Sequence, residues 1–156
     1  MVSVSVAPGS VAEDGSANLV YTLTRTDSAL ARLTNPLTVN FALTGTATLG
    51  TDFTVLNGSA TSVTFAANSP TATVTIDPTA DFIVEPDETV ELTVVSGSVY
   101  SAATTTPAIG TIANDDVIPS VTVSVAPSSV QEDGTIALVY TFTRPNTQAS
   151  LSSALT

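Results

Sequence analysis

Eleven of the fourteen carboxylates fall in four short motifs: Glu13-Asp14 with its echo Glu132-Asp133, then Asp52, the stretch from Asp81 to Glu88, and Asp115-Asp116. Between them run Val, Thr, Ser, Ala and Gly in alternating order, so the few charges are gathered rather than spread for solubility. Carboxylate oxygens brought within a few ångströms repel one another, and the conflict is relieved by protonation or by a cation. Acids carried on loops favour Ca²⁺, which takes about six to eight oxygens in irregular geometry, over Mg²⁺, which demands a tight octahedron and keeps its waters. The competing reading is that these are solvated turn residues, ordinary places for Asp and Glu.

Composition excludes much else. The chain has 156 residues, a formal net charge of -11 and a pI near 4.1, with no Cys, His or Trp, and its basic residues are Arg25, Arg32 and Arg144. A polyanion needs a basic footprint, so nucleic acid is not an expected partner, and an anionic membrane surface is a poor one. Without His, Cys or Lys there are no nitrogen or sulfur ligands for zinc and none of the usual acid/base or nucleophilic side chains. No run of about 18 apolar residues suggests membrane insertion, and Met1-Val2-Ser3-Val4 does not read as a signal peptide.

The elements that must position the acids are announced by an internal repeat. Residues 2–25, VSVSVAPGSVAEDGSANLVYTLTR, match residues 121–144, VTVSVAPSSVQEDGTIALVYTFTR, at 17 of 24 positions with a constant offset of 119. One unit is therefore expected over 1–117, a linker over 118–120, and the start of a second repeat, strands A and B only, over 121–156. The chain reads as a fragment of a tandem array.

Within the first unit the hydrophobic period is two, β-branched and aromatic residues are enriched, and turn residues recur at regular intervals, all of which predict β-strands. The expected strands are A at 2–6, continuing after Pro8-Gly9 to Val11, B at 17–25, C at 37–44, D at 62–65, E at 71–77, F at 89–95 and G at 108–113. Seven antiparallel strands in about 115 residues indicate an all-β, immunoglobulin-like β-sandwich. The inward faces are expected from Val20, Leu23 or its neighbours, Val39, Phe41, Val63, Phe65, Val74, Ile76, Leu92 and Val94. Successive connections of such a sandwich alternate ends. The A-B, C-D and E-F connections and the exit from G then share one tip, and all four acidic motifs lie on them; the opposite connections carry one acid, Asp27.

These residues resemble the Calx-β family, known from the regulatory loop of the sodium/calcium exchanger and from bacterial surface proteins. The resemblance covers residues 2–116 and rests on VAEDG at 11–15, GTATLGTDF at 45–53, VTFAANSPTATVTI at 63–76, DFIVEPDETVEL at 81–92 and TIANDD at 111–116. It implies an immunoglobulin-like sandwich with Ca²⁺ at one tip, and by resemblance the metal ligands are Glu13, Asp52, Asp81, Glu85, Glu88, Asp115 and Asp116. Asn114 stands where members often have a third terminal acid and could offer a carbonyl oxygen, while Asp87 points outward or supports the ligands.

The expected function is thus a calcium-binding repeat of a large extracellular or cell-surface protein. Its partners would be neighbouring repeats and other cell-surface proteins or glycans. The alternative is a metal-independent spacer or adhesion module. A hydrolase using Glu85 and Glu88 as acid and base is not expected, since both lie on one tip loop without a cleft. Other residues have plainer readings: Tyr21 and Tyr140 as core or strand-edge aromatics, Arg25 as a solvated or paired charge, and Asn57-Gly58-Ser59 as a glycosylation triplet or a turn.

Overall fold

Alternation of side chains across a pleated strand decides which face each residue takes. The computed structural model describes residues 1–26 and 33–144, so Asp27 and Arg32 lie outside the described residues. It divides into two units, one of residues 1–81 and 85–115 and one of residues 82–84 and 116–156. The strands of the first unit are β1 (Val2–Ala7), β2 (Ser10–Ala12), β3 (Leu19–Arg25), β4 (Leu37–Gly45), β5 (Phe53–Val55), β6 (Ser62–Phe65), β7 (Thr71–Pro78), β8 (Glu88–Val94) and β9 (Ala108–Ala113). They form a sheet of order β1-β3-β7-β5 and a second of order β2-β9-β8-β4-β6. The fold is the all-β sandwich, with no helix among the described residues.

It departs from seven antiparallel strands in two places. Strand A is two strands: β1 pairs antiparallel with β3, whereas β2 pairs parallel with β9 in the other sheet. Pro8 has no N–H to continue the first ladder, and beyond it the chain enters the second sheet, where the Gly9 carbonyl accepts the Thr111 N–H at 3.0 Å. The C-D connection contains β5, a three-residue strand that pairs with β7 through Phe53↔Pro78 and Val55↔Ile76. Three residues are too short for a period to show.

Leu19, Tyr21, Leu23, Val39, Phe41, Phe53, Phe65, Val74, Ile76, Val90, Leu92 and Val94 are buried in one core, with Val2, Val11 and Ile112. Val20 is corrected: β3 buries the odd-numbered set, leaving Val20 half-buried on the other face. Val63 is half-buried and packs against the core rather than within it. The choice of phase in β3 follows from Tyr21, whose buried hydroxyl donates to the Val90 carbonyl at 2.6 Å. Burial pushes this hydroxyl up to about 12, so it remains a donor at neutral pH. A Cβ on Gly110 would stand 2.7 Å from both the Tyr21 oxygen and Leu19 Cδ1, so this close approach of β9 to β3 requires glycine. Tyr21→Phe keeps the ring but leaves the Val90 carbonyl without its donor. It should cost about 1–3 kcal/mol, read as a lower urea midpoint with an unchanged m-value.

Arg25 also differs from expectation. It is 6% exposed, and among the described residues no acid shares a hydrogen bond with it. Its guanidinium donates to the carbonyls of Ser69 (2.8 Å), Asn35 (3.0 Å), Leu33 (2.9 Å) and Ala66 (3.0 Å), and it sits 5.3 Å from the Phe65 ring centroid. A planar fork satisfies four carbonyls of two connections that have no ladder to join.

Asn57 serves the sheet. Its side-chain amide donates to the Thr73 carbonyl at 3.1 Å and accepts the Thr75 N–H at 2.7 Å, extending the β5 pairing along β7 before the chain turns at Gly58, φ +100°.

The second unit takes in residues 82–84 and 116–156. Its described strands are β10 (Thr122–Ala126) and β11 (Val139–Thr143), an antiparallel pair with Val123↔Phe142 and Val125↔Tyr140 opposite one another. Every residue of both strands is exposed.

Candidate metal centre at the acidic end

Glu13 is placed by β2. The parallel register of β2 with β9 runs to Ala12↔Ala113, and the next N–H, that of Glu13, donates to the Ala113 carbonyl at 3.0 Å. The turn that follows closes with Gly15 N–H on the Ala12 carbonyl at 3.2 Å, and the Glu13 side chain is left buried, 7% exposed. A carboxylate at this depth needs compensation. Glu13 and Asp81 bring carboxylate oxygens within 4.8 Å of each other.

Asp52 is placed by the turn before β5. Its N–H donates to the Thr48 carbonyl at 2.9 Å, its Oδ2 accepts the Thr48 N–H at 2.6 Å, and its own carbonyl accepts Thr79 N–H at 2.9 Å. Gly50, φ +89°, supplies the left-handed residue this turn requires. One oxygen of Asp52 is thus held by the backbone, which fixes the direction of the other.

Glu88 opens β8, opposite Ile112, and Glu85 lies three residues earlier, its N–H donating to Asn114 Oδ1 at 3.3 Å. Asp52, Glu85 and Glu88 are half-buried and converge, offering oxygens that all lie within 4.8 Å of one another. Oxygens bound to one Ca²⁺ at about 2.3–2.6 Å can be no more than about 5 Å apart, so this separation fits a shared ion. The all-carboxylate donor set is that of a hard cation. Burial, then the charges of Asp52 and Glu85, then a hydrogen bond with Asp52, raise the Glu88 carboxyl above the ordinary glutamate range.

The sign of that shift gives a pH prediction. A folded state that holds its proton more tightly than the unfolded chain gains stability as pH falls through the raised Glu88 value, and loses it again as pH rises. In calcium-free buffer the first unit should therefore melt higher at mildly acidic than at neutral pH. Glu88→Gln should flatten that slope in a series of thermal melts.

Asp115 and Asp87 are placed by hydrogen bonds of their own. Asp115 Oδ1 accepts the Asp14 N–H at 3.2 Å, tying the exit of β9 to the β2-β3 connection. Asp87 is exposed and its Oδ1 accepts the Asn114 N–H at 3.1 Å, so Asn114 links Asp87 to Glu85. Asp116, half-buried, is the next residue along and is described with the second unit. Asn18, on the same connection as Glu13, has a buried Oδ1 with no hydrogen-bond partner among the described residues, the kind of oxygen that a cation or an ordered water satisfies. No sequence signal singled it out, since the second repeat has Ala137 at its place.

Comparison with protein-family profiles and with curated protein sequences finds no match. Among solved structures, the CBD12 structure of CALX1.2 aligns with TM-score 0.55 at 20% identity, over 73% of this chain and 46% of that one. The apo-form Calx CBD1 domain aligns with TM-score 0.54 at 22% identity, over 74% of this chain and 98% of that one. The calcium-binding domain CBD12 of CALX1.1 aligns with TM-score 0.55 at 21% identity, over 72% and 44%. The chain spans less than half the length of the two CBD12 structures and nearly matches the single CBD1 domain. The sandwich that carries these acids has the fold of the Calx-β domains.

Proposed function

We propose that the first unit is a calcium-binding Calx-β repeat of a larger extracellular or cell-surface protein, not an enzyme, whose partners are neighbouring repeats and surface proteins or glycans. The observation that carries this reading is the convergence of Asp52, Glu85 and Glu88, whose carboxylate oxygens lie within 4.8 Å of one another, where burial and the two neighbouring charges push the Glu88 carboxyl up. Asp52, Glu85 and Glu88 would hold one ion, with Glu13 and Asp81 a second acidic pair beside the β2-β3 connection. When bound, calcium supplies positive charge to a crowded set of carboxylates. The chain's own part is to orient them: the Thr48–Asp52 turn fixes one acid, and the Glu85–Asn114–Asp87 hydrogen bonds fix the loop bearing the others. Ordering that loop and the run at 114–116 would stiffen the junction to the following repeat.

Calorimetric titration of the whole chain with CaCl₂ tests this reading. Saturable calcium binding that weakens strongly in Asp52→Asn/Glu85→Gln supports it. A chain that takes up no calcium is instead a metal-independent spacer or adhesion module.

A further inference from the structure

Strand β4 loses its outer partner halfway along. Its pairing with β6 ends at Asn40↔Ser62 and at the Phe41 N–H on the Thr61 carbonyl, 2.9 Å, whereas its pairing with β8 continues to Gly45↔Val90. The Ser59 hydroxyl takes the Thr61 N–H at 3.1 Å, and the chain turns away at Gly58. Backbone groups alternate sides along an antiparallel strand. The Asn40 carbonyl accepts the Val95 N–H and the Thr46 N–H donates to the Thr89 carbonyl, so the even-numbered residues of β4 face β8. The Phe41 carbonyl and both backbone groups of Leu43 face the other way, and among the described residues no hydrogen bond reaches them from that side. The gap beside them is a groove of about 620 Å³ lined by Phe41, Leu43, Ala47, Leu49, Phe53 and Ala60. Leu43 packs against the core yet is only half-buried, while Leu92, opposite it on β8, and Val39, which has Val63 at its outer side, are wholly buried. The place beside Leu43 lacks a strand and an apolar side chain.

We propose that this half of β4 accepts an extended segment of a separate polypeptide, added antiparallel, with an apolar residue paired with Leu43 and basic residues at its N-terminal end beside Thr48. A backbone is what the edge specifies: a donor and acceptors at strand spacing, in the plane of the sheet, are matched by the N–H and C=O groups of another chain. Apolar side chains are specified by the groove, which no charged residue lines. The charge is specified at one end. An antiparallel segment, as both β6 and β8 are to β4, begins beside Thr46 and Thr48. There the Asp52 carboxylate holds the Thr48 N–H at 2.6 Å, and Glu91 lies 3.4 Å from the Thr44 hydroxyl, in a chain of net charge -11. A second copy would bring 14 carboxylates against three arginines and is the poorer occupant.

The test uses the whole chain in EGTA, which keeps the outcome separate from calcium binding, with a fluorescein-labelled peptide of sequence RRTVTVTV. Saturable binding in anisotropy is expected. Hydrogen exchange of the Leu43 amide should be fast in the free chain, where those of Ala42 and Thr44 are protected by β8, and should slow when the peptide is bound. Binding should weaken by about tenfold or more with Leu43→Ser, with Leu49→Ser and with the acidic peptide EETVTVTV. Leu49 is 49% exposed, so Leu49→Ser leaves the unit folded, which an unchanged melt checks. Absence of saturable binding, binding indifferent to both substitutions, or equal binding of the acidic peptide overturns the proposal. So does a Leu43 amide already protected in the free chain: the edge is then filled by the chain itself or, where protection grows with concentration, by a second copy.

Discussion

Arg25→Leu is expected to cost the first unit about 3–5 kcal/mol, a large share of the roughly 5–15 kcal/mol by which a domain of this kind is stable. Leucine is as apolar as its surroundings, yet four carbonyls lose the guanidinium together: those of Leu33 and Ala66 keep a backbone donor, Asn68 N–H at 2.6 Å and Ser69 N–H at 3.1 Å, whereas those of Asn35 and Ser69 lose the donor described for them. A hydrogen bond to a charged group contributes more than a neutral one, and a buried acceptor left unmade costs its desolvation. Water entering the vacated space would recover part of the loss, which is why the expected cost is less than the sum over four bonds. Arg25→Lys keeps the charge but has no planar fork, so it should restore little. Urea denaturation followed by circular dichroism checks both variants. Midpoints within experimental error of the parent would mean that these connections are held by something other than the guanidinium.

Asp52→Asn/Glu85→Gln is expected to remove the calcium-dependent stabilisation while leaving the calcium-free unit as stable as before, or more so. With a dissociation constant near 10⁻⁵ M and about 1 mM calcium, linkage contributes about 2.7 kcal/mol, which for a unit of this size is a shift of several degrees in Tm. The amide at position 52 can still accept the Thr48 N–H through its carbonyl oxygen, so the turn is preserved. Two negative charges beside Glu88 disappear, which removes two of the causes that raise its carboxyl. Parallel melts in EGTA and in calcium separate the two effects. An equal calcium shift in the variant and the parent would assign the ion to other carboxylates.

Much of this fold was legible because strand formation here is driven by side-chain alternation. Strands β6 and β9 fall at Ser62–Phe65 and Ala108–Ala113, as the period of two predicts; β4 and β7 run one residue further at their ends, and β8 is shifted by one residue at both. What was not legible depends on partners distant in sequence. The phase of β3 turned on a hydroxyl reaching Val90, 69 residues away, against a glycine at 110. The break of strand A between two sheets was marked by Pro8-Gly9, but its parallel pairing with β9 was not, since nothing local to Ser10–Ala12 specifies a partner. Arg25 looked like a polar strand end because a single charge carries no period; only the carbonyls converging from two connections explain its burial.

The acidic end shows the same division. The acids could be placed on one tip because each sits at a strand end, a matter of parity. Which of them converge depends on turn geometry: the backbone clasp on Asp52 holds it with its carboxylate close to those of Glu85 and Glu88, whereas Asp115 accepts a backbone N–H from Asp14. Resemblance alone drew no distinction between Asp52 and Asp115. The ladder of hydrogen bonds from Glu85 through Asn114 to Asp87 was likewise invisible, because Asn and Asp in a loop signal only a turn.

A thermal melt of the whole chain in EGTA, in about 5 mM CaCl₂ and in about 5 mM MgCl₂, at matched ionic strength, tests the account most directly. The convergence of carboxylates in a flexible oxygen site predicts a midpoint several degrees higher in calcium than in EGTA, with magnesium giving little of that rise. Equal midpoints in all three would contradict a calcium site at the acidic end and leave its carboxylates as solvated turn residues on a structural sandwich.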